Sequence, residues 1–201
     1  MKDFSIQRTE ICHDGFFKLK RHTIQYDKFD GTISKPHKRE VLVREPTVAA
    51  LLYDEKQDSI LLTEQFRIGP LENGTNPWIY EIPAGIVEVG EDKQKAIERE
   101  ILEETGYSCE ADELIGEFYL SPGGTNEITT LYFAKLDLTS SGVHGAMGEN
   151  EDIKTHILTV DEACELMKRG NLSVITGLAL MWLVNKRIDH KQSIVNEDNH
   201  V

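Results

Sequence analysis

The segment from Asp92 to Thr105 restricts the possible folds of this 201-residue chain more than any other feature. It contains no Gly, no Pro and no run of β-branched residues, Asp92 can cap its first turn, and Gly106 stands where glycines end helices. We therefore predict a helix over this segment. Strand-like runs come before and after it, and a helix in mid-chain between strands indicates an α/β sandwich.

Several segments show the apolar pattern and the flanking turn residues of β-strands. In chain order, the predicted strands are 16–26, 39–44, 47–53, 59–66, 78–83, 114–120, 128–136 and 153–159. The first two flank the turn signal Asp30-Gly31. They predict a strand pair ahead of the main body of the protein.

Two more helices are predicted near the C-terminus. Thr159 and Glu162 form a capping box that opens a helix ending at Arg169, and a last helix is predicted over 173–187. The polar end of the chain should fray. The predicted parts of the chain are an N-terminal β-strand lobe over 1–45, a main domain over 46–190 and a flexible tail over 191–201.

Charge and cysteine content argue against several classes of partner and site. Because 35 acidic residues outnumber 22 basic ones, the net charge is -13, which repels a nucleic-acid backbone and suggests divalent cations wherever phosphates are handled. The three cysteines are odd in number and form no CxxC pair, which argues against disulfides and favours a reducing cytoplasm.

The first residues lack an apolar signal core, and the longest apolar stretch, Val174–Val184, is too short to span a bilayer. Neither secretion nor a membrane is expected.

Three glutamates of the predicted helix share one face. At 100° per residue, Glu100, Glu103 and Glu104 fall within about 100° of one another. Like charges at this spacing cost an isolated helix roughly 0.2 to 0.5 kcal/mol per pair, and the helix dipole disfavours anions near the C-terminal end. A hard cation such as Mg²⁺ would neutralise the cluster, which indicates a metal site for phosphates. The alternative is a solvated helix face paired with Arg99 and nearby lysines.

The segment GIVEVGEDKQKAIEREILEETGY resembles the Nudix box of the Nudix hydrolase family, written G-x5-E-x7-R-E-U-x-E-E-x-G-U with U a bulky apolar residue. The matching residues are Gly85, Glu91, Arg99, Glu100, Ile101, Glu103, Glu104 and Gly106. Tyr107 fills the last U position with an aromatic ring instead of the usual aliphatic side chain, a departure that concerns packing. Pro122, sixteen residues after Gly106, resembles the proline that marks the ADP-ribose pyrophosphatase branch. The segments HKRE, EQFR, PAGIVE and SGVHGAMGENEDI extend the resemblance from about Gly15 to Arg187.

The resemblance implies a fold and a set of catalytic roles. The fold is the Nudix α/β/α sandwich with a mixed β-sheet, preceded by a small N-terminal β lobe whose strands would be swapped in a homodimer. About two or three Mg²⁺ ions, or Mn²⁺ instead, would be bound at each site. Their ligands would be Glu100, Glu103, Glu104, Glu151 and the backbone carbonyl of Ala84. Glu149 would be the catalytic base that deprotonates the attacking water, although an ENED run on its own is typical of solvated charge.

The other implied roles concern structure and substrate. Glu91 and Arg99 would form an ion pair that holds the loop against the helix, or else a plain surface pair, and Gly85 and Gly106 would supply conformations that a side chain hinders. The residues set against phosphates and sugars would be Arg67, Ile86, Ser121, Pro122, Gly123 and Glu127. Those that hold the adenine across the dimer interface would be Phe16, Phe17, Arg39, Glu40 and Arg44. For the two phenylalanines, ordinary core or interface packing is the alternative.

The function implied by the resemblance is hydrolysis of ADP-ribose to AMP and ribose 5-phosphate. Arginine at position 67 suits a diphosphate, because its planar fork donates two hydrogen bonds. One alternative is another nucleoside diphosphate sugar, such as GDP-mannose. A second alternative is a sensor of Nudix fold that binds ADP-ribose without cutting it. Such sensors commonly lose box carboxylates or carry an added basic domain, and this sequence shows neither feature.

Overall fold

The computed structural model describes residues 2–145 and 151–198, with side chains described as far as residue 188. The chain divides into two compact units. Unit 1 consists of the chain up to Pro46 together with Tyr119–Thr129. Unit 2 consists of Thr47–Phe118 together with the chain from Thr130 onwards.

The secondary structure has a mid-chain helix with strands before and after it, as the sequence predicts. The strands are β1 (Phe4–Asp14), β2 (Lys18–Tyr26), β3 (His37–Val43), β4 (Thr47–Asp54), β5 (Ser59–Phe66), β6 (Trp78–Glu81), β7 (Ala84–Ile86), β8 (Glu113–Tyr119), β9 (Ile128–Lys135), β10 (Val143–His144) and β11 (Ile153–Thr159). The helices are α1 (Gly69–Glu72), α2 (Lys93–Thr105), α3 (Val160–Arg169) and α4 (Val174–Asp198). Within the described ranges, none of these helices has the length and apolar character needed to cross a membrane.

Unit 1 contains an antiparallel sheet in the order β1-β2-β3. The pairing of β2 with β3 confirms the predicted strand pair. The sequence does not predict β1, and its pairing shows the reason. Register shifts between Ile6 and Arg8 and between Ile11 and His13 interrupt the alternation of side chains, so the period-two signal of a strand is absent although the strand forms.

Unit 2 is built on a mixed sheet in the order β10-β11-β5-β4-β9-β8, with β6 paired to β5 and β7 paired to β4. The central strands β4 and β5 are buried along nearly their whole length, as in a sheet covered on both faces. Helix α2 covers one face, where Ile101 packs in a cluster with Leu52 and Ala134. Helix α4 lies on the other face, where the ring of Trp182 is 5.1 Å from that of Phe133. The predicted α/β/α sandwich is confirmed.

The ends of α2 lie where the sequence predicts them. The Asp92 carboxylate accepts hydrogen bonds of 3.0 and 3.2 Å from the backbone N–H groups of residues 94 and 95. At the other end, Gly106 has a φ of 74°, a left-handed conformation that favours glycine. The capping box of Thr159 and Glu162 is confirmed at the start of α3. These local signals are sufficient because each of them acts within one turn of helix.

Three differences from the predicted elements concern the end of the last helix and the shortest elements. Helix α4 continues to Asp198 instead of ending at Arg187, because residues 188–198 contain no Gly or Pro that would stop it. Strands β7 and β10 span only three and two residues, too few for a periodic pattern. The one-turn helix α1 falls in a segment predicted as a loop. That the tail over 191–201 is flexible stays a prediction.

Candidate active site

Strand β7 brings a stretch of backbone directly against helix α2. It pairs with β4 so that Gly85 lies opposite Val48. A Cβ atom at Gly85 would overlap the carboxylate of Glu100. Because glycine has no side chain, the helix can place this carboxylate on the backbone of the strand.

Glu104 is the buried member of the glutamate face. Only 3% of the surface of Glu104 is accessible to solvent. Its Oε2 accepts a hydrogen bond of 3.0 Å from the backbone N–H of Ala84. Burial raises the pKa of this carboxyl to about 8, although the Ala84 N–H stabilises the charged form. The charges of Glu100 and Glu81 also raise the pKa, and the charge of Arg67 lowers it. A bound cation would stabilise a carboxylate in these surroundings.

Glu100 lies beside Glu104 and interacts with a residue remote in sequence. Burial raises the pKa of Glu100, and the neighbouring Arg99 opposes this effect. The negative charges of Glu103 and Glu151 raise the pKa of Glu100 as well. Glu151 is exposed, and its charge acts on the glutamate face from the segment before β11. The structure thus places Glu151 near the predicted metal ligands of α2.

Arg99 neutralises part of this negative charge. Its guanidinium donates to both carboxylate oxygens of Glu91 at 3.0 and 3.1 Å, to Glu100 at 2.8 Å and to Glu103 at 3.1 Å. It also donates to the backbone carbonyl of Ile86 at 3.1 Å. The hydrogen bonds with Glu91 raise the pKa of Arg99 and lower that of Glu91. The structure brings Glu91 and Arg99 together and ties the loop after β7 to the helix.

The oxygen atoms of the glutamate face are suitable ligands for a hard divalent cation. Within residues 2–145 and 151–198, no three His, Cys, Asp or Glu side chains are grouped as they would be around a metal ion. Arg99 engages the carboxylates of Glu100 and Glu103, and Glu104 is bonded to Ala84. These groups offer oxygen atoms, which Mg²⁺ and Mn²⁺ accept, and the buried acid needs a counter-charge. A cation would therefore have to compete with Arg99 for the same oxygens.

Glu81 is a residue of this region that the sequence interpretation does not include. Its Oε2 accepts a hydrogen bond of 2.8 Å from Nε of Arg67, a predicted phosphate ligand. The charges of Arg67 and Glu81 both act on the pKa of Glu104, so the pair lies near the glutamate face. The sequence alone could have placed only one side of this contact. The alternation of side chains places Thr63 on the same face as Arg67, and the pairing of β5 with β6, which the structure shows, sets Glu81 opposite Thr63.

In unit 1, four predicted substrate residues form a cluster. The guanidinium of Arg44 lies 4.7 Å from the centroid of the Phe17 ring and 3.7 Å from the carboxylate of Glu127. The ring of Phe16 meets that of Phe17 edge-on, with centroids 4.8 Å apart. The contact between Arg44 and Phe17 is a cation–π arrangement. Aromatic, cationic and anionic groups are thus combined at one place in this unit.

The turn Ser121–Gly123 lies beside β3. The carbonyl of Ser121 accepts 3.0 Å hydrogen bonds from the backbone N–H groups of Gly124 and Thr125. The carbonyl of Gly124 in turn accepts from the N–H of Leu42 in β3 at 2.8 Å. The amide of Asn126 bonds both the N–H and the carbonyl of Arg44, at 2.7 and 2.9 Å. These bonds hold the turn next to the Arg44 cluster.

Two other predicted substrate residues, Glu40 and Arg39, make different contacts in unit 1. The carboxylate of Glu40 pairs with Arg21 at 2.6 Å across β2 and β3. The guanidinium of Arg39 donates to the carbonyl of Lys38 at 3.0 Å. Glu149, the predicted catalytic base, lies outside the described residues. Its role stays a prediction from the sequence.

Replacing Gly85 by Ala is expected to lower hydrolysis by about 10²-fold or more with a small change in stability. The added methyl group must displace the end of the flexible Glu100 side chain, which can swing aside cheaply, whereas a ligand lost from a metal site removes several kcal/mol of charge stabilisation. Measurements of kcat/KM and Tm separate the two effects. Gly69→Ala is the matched control, because the methyl group there meets no atom within 4 Å. Wild-type activity in Gly85→Ala would show that the position of Glu100 is unimportant.

Solved structures and known sequences share this architecture. A chain described as the crystal structure of ADP compounds hydrolase matches with a TM-score of 0.67 and 16% sequence identity, over 94% of this chain and 95% of that chain. At this identity the match shows the fold alone. A family model described as the NUDIX domain matches residues 43–177.

Several relatives are similar over most of their length. The ADP-ribose pyrophosphatase of Escherichia coli (strain K12) is 32% identical over 197 residues, which cover 97% of this chain and 92% of that protein. The ADP-ribose pyrophosphatase of Haemophilus influenzae is 35% identical, with coverages of 90% and 86%. The GDP-mannose pyrophosphatase of Cronobacter sakazakii is 34% identical, with coverages of 81% and 85%. Because the family model spans more than half of the chain and these relatives exceed 30% identity, the chain belongs to the Nudix family of hydrolases.

Proposed function

We propose that this protein hydrolyses the diphosphate bond of ADP-ribose, giving AMP and ribose 5-phosphate. The observation that carries the proposal is the buried Glu104 beside Glu100, both held against the backbone of residues 84–85. The chain around this pair is similar over 97% of its length to an ADP-ribose pyrophosphatase. We place the protein in the cytoplasm.

The proposed cofactor is Mg²⁺, with Mn²⁺ as a substitute and about two or three ions per site. The residues that would hold it are Glu100, Glu103, Glu104, Glu151 and the carbonyl of Ala84. Bound Mg²⁺ would neutralise charge on the diphosphate and make the attacking water more acidic. Glu149 would take the proton from that water. Arg99 would keep Glu100 and Glu103 in place until the cation competes for their oxygens.

Charge and hydrogen bonding suggest how the substrate is held. Arg67 would bind the diphosphate with its remaining donors, because Glu81 fixes its Nε. Ile86 and the turn Ser121–Gly123 would line the path of the sugars and phosphates, and Glu127 would accept hydrogen bonds from ribose hydroxyls.

The adenine would be held by residues of unit 1 in a homodimer with swapped N-terminal strands. These residues would be Phe16, Phe17, Arg39, Glu40 and Arg44. Exposed apolar side chains on this unit support an interface there, since 91% of Phe16 and 70% of Phe4 are accessible. Uncovered strand edges with apolar side chains commonly pair with a second chain.

The test of the function is to incubate the purified protein and Mg²⁺ with a panel of nucleoside diphosphate sugars and to identify the products. We expect AMP and ribose 5-phosphate, with kcat/KM for ADP-ribose above that for every other member of the panel. A higher kcat/KM for GDP-mannose would favour the second candidate, which similarity to a GDP-mannose pyrophosphatase supports. Binding of ADP-ribose without turnover would contradict both and indicate a sensor.

Replacing Arg39 by Ala is expected to raise KM for ADP-ribose about tenfold, since a hydrogen bond to a charged donor contributes roughly 1.5 to 3 kcal/mol. A substrate that lacks adenine should be affected less. Lys38→Ala is the matched control, because neighbouring residues of a strand point to opposite faces. An unchanged KM in Arg39→Ala, together with a monomer by sedimentation at assay concentration, would exclude the swapped-dimer pocket.

A further inference from the structure

The hydroxyl group of Tyr107 links the end of α2 to a segment remote in the chain. Its phenolic oxygen accepts hydrogen bonds from the backbone N–H groups of Thr139 and Ser140, each 2.8 Å long. Its O–H donates to the carbonyl of Ser140, also at 2.8 Å. The aliphatic residue that the Nudix box usually has at this position could make none of these bonds.

The surroundings of Tyr107 make this link rigid. The side chain packs against the core cluster that joins α2 to β4, and the preceding helix ends in a fixed cap at Gly106. Burial alone would raise the pKa of the Tyr107 hydroxyl, yet the hydrogen bonds with Ser140 and Thr139 outweigh burial and the pKa lies below its ordinary value. The Tyr107 oxygen therefore accepts hydrogen bonds that favour its ionised form, and residues 139–140 are held at the end of α2.

From this point the chain enters the short hairpin of β10 and β11. The N–H of Gly142 donates to Oγ1 of Thr155 at 2.7 Å, and the carbonyl of Gly142 accepts from the N–H of Thr155 at 2.9 Å. His144 then pairs with Ile153. We call residues 139–144 and 153–155 the hairpin stem. A shift of residues 139–140 would move the whole stem, because its two strands are bonded to each other.

His144 makes a second contact between the stem and α2. A Cβ atom at Gly106 would lie 2.9 Å from Cε1 of the His144 ring, and one at Gly142 would lie 2.9 Å from its Nε2. The ring therefore covers both glycines, one at the end of the helix and one in the stem. Tyr107 and His144 thus connect the stem to the C-terminal end of α2 at two points.

The stem leads directly to an acidic residue of the glutamate face. Gly145 has a φ of +134°, and a Cβ atom there would lie 2.7 Å from the carbonyl oxygen of Glu151. This close approach sets the backbone of Glu151 against the end of β10. Strands β10 and β11, which flank this segment, both contact α2, so Glu151 is held next to the helix that carries Glu100. The position of Glu151 thus depends on the stem, and the stem is bound to the end of α2.

We propose that Tyr107 and His144 are positioning residues that hold the hairpin stem on the C-terminal end of α2 and so keep Glu151 beside Glu100. The inference rests on the proposed function, because it gives Glu151 a part in binding the divalent cation. In this protein, the aromatic residue in the last position of the Nudix box joins the two chain segments that supply acidic ligands. Tyr107 and His144 act through Glu151, so their effect should appear in the affinity for the divalent cation in the absence of substrate.

The test uses Tyr107→Phe, which keeps the ring in the core and removes the three hydrogen bonds. We expect the Kd for Mn²⁺, titrated by calorimetry without substrate, to rise about tenfold, as is typical when a residue that orients a ligand is lost. Amide exchange at Thr139 and Ser140 should accelerate. Tyr53→Phe is the matched control, since it also removes a tyrosine hydrogen bond, to Asp58 at 2.8 Å, and should leave the Mn²⁺ affinity unchanged.

A double-mutant cycle distinguishes positioning from general destabilisation. If Tyr107 acts through Glu151, then Glu151→Gln and the double variant Tyr107→Phe/Glu151→Gln should have the same Kd for Mn²⁺ within about twofold. Additive losses would overturn the proposal, as would a wild-type Kd in Tyr107→Phe. If Tyr107→Phe fails to fold, His144→Ala replaces it in the same cycle with the same expected result.

The same titration separates this inference from the proposed function. Loss of Mn²⁺ binding in Glu104→Gln with an unchanged Kd in Tyr107→Phe would leave the metal site in place and contradict only the positioning role. Wild-type Mn²⁺ binding in Glu104→Gln would instead contradict the metal site itself.

Discussion

Replacing Glu104 by Gln is expected to lower Mg²⁺-dependent hydrolysis by about 10³-fold. Loss of a ligand carboxylate removes several kcal/mol of charge stabilisation, and each 1.36 kcal/mol changes the rate tenfold. Glutamine keeps the size of the side chain and can accept the hydrogen bond from Ala84, so the effect reports the charge. The measurement is kcat/KM at saturating Mg²⁺, with Glu98→Gln on the same helix as the control. Wild-type turnover in Glu104→Gln would show that Glu104 is not a ligand.

The same substitution should stabilise the metal-free protein. Burial raises the pKa of Glu104 to about 8 from an ordinary value of 4.5. Below pH 4.5 the carboxyl is protonated in both the folded and unfolded states and has no effect on their balance. Between pH 4.5 and about 8 the unfolded chain ionises first, so the free energy of unfolding falls as the pH rises. At pH 7 this loss amounts to about 3 kcal/mol.

Denaturation in the presence of a chelator tests whether Glu104→Gln stabilises the metal-free protein. From pH 5 to pH 8 the wild type should lose more stability than Glu104→Gln, and at pH 8 the variant should be more stable by roughly 1 to 3 kcal/mol. Added Mg²⁺ should then stabilise the wild type, since a ligand that binds only the folded state shifts the balance towards it, and should do so less in the variant. Parallel stability curves for the two proteins would mean that Glu104 is charged in the metal-free fold.

Replacing Glu149 by Gln is expected to lower kcat by about 10² to 10⁴-fold, the usual contribution of a positioned general base. The change in KM should be small, because a base acts on the water and not on the binding of the substrate. The acidic limb of the pH–rate profile should also change, since that limb reports protonation of the base. A variant affected mainly in KM would make Glu149 a binding residue.

A comparison with Glu151→Gln makes the assignment of Glu149 sharper. If Glu151 is a ligand, higher Mg²⁺ concentrations should restore part of the activity of Glu151→Gln, because weaker binding is overcome by mass action. Glu149→Gln should not recover in this way. If the two variants respond alike to Mg²⁺, the separate roles of base and ligand are wrong.

The sequence predicts those features of the fold whose causes are local. Helix α2 begins after the Asp92 cap and ends at Gly106, and both signals act through hydrogen bonds within one turn. Strands β5 and β11 have the predicted bounds, 59–66 and 153–159, because turn residues and apolar periodicity mark them. The sequence also indicates the chemistry, since three carboxylates that share one helix face repel one another and favour a bound cation.

Elements that depend on a distant partner are missing from the sequence interpretation. Strand β7 is three residues long and exists through its pairing with β4, and β10 exists through its pairing with β11. Strand β1 has register shifts that hide its periodicity, and its pairing with β2 is visible only in the structure. Short strands lack an intrinsic signal, because their stability comes from cross-strand neighbours.

The sequence by itself determined the family pattern, the glutamate face and the limits of the helix that carries it. Only the tertiary structure decided that Glu104 is the buried acid, that Glu81 orients Arg67, and that the hydroxyl of Tyr107 reaches residues 139–140. Burial and long-range hydrogen bonds depend on which strands and loops meet in space. A residue's own neighbours in the chain do not specify them, whereas caps and helical periodicity are complete within a few residues.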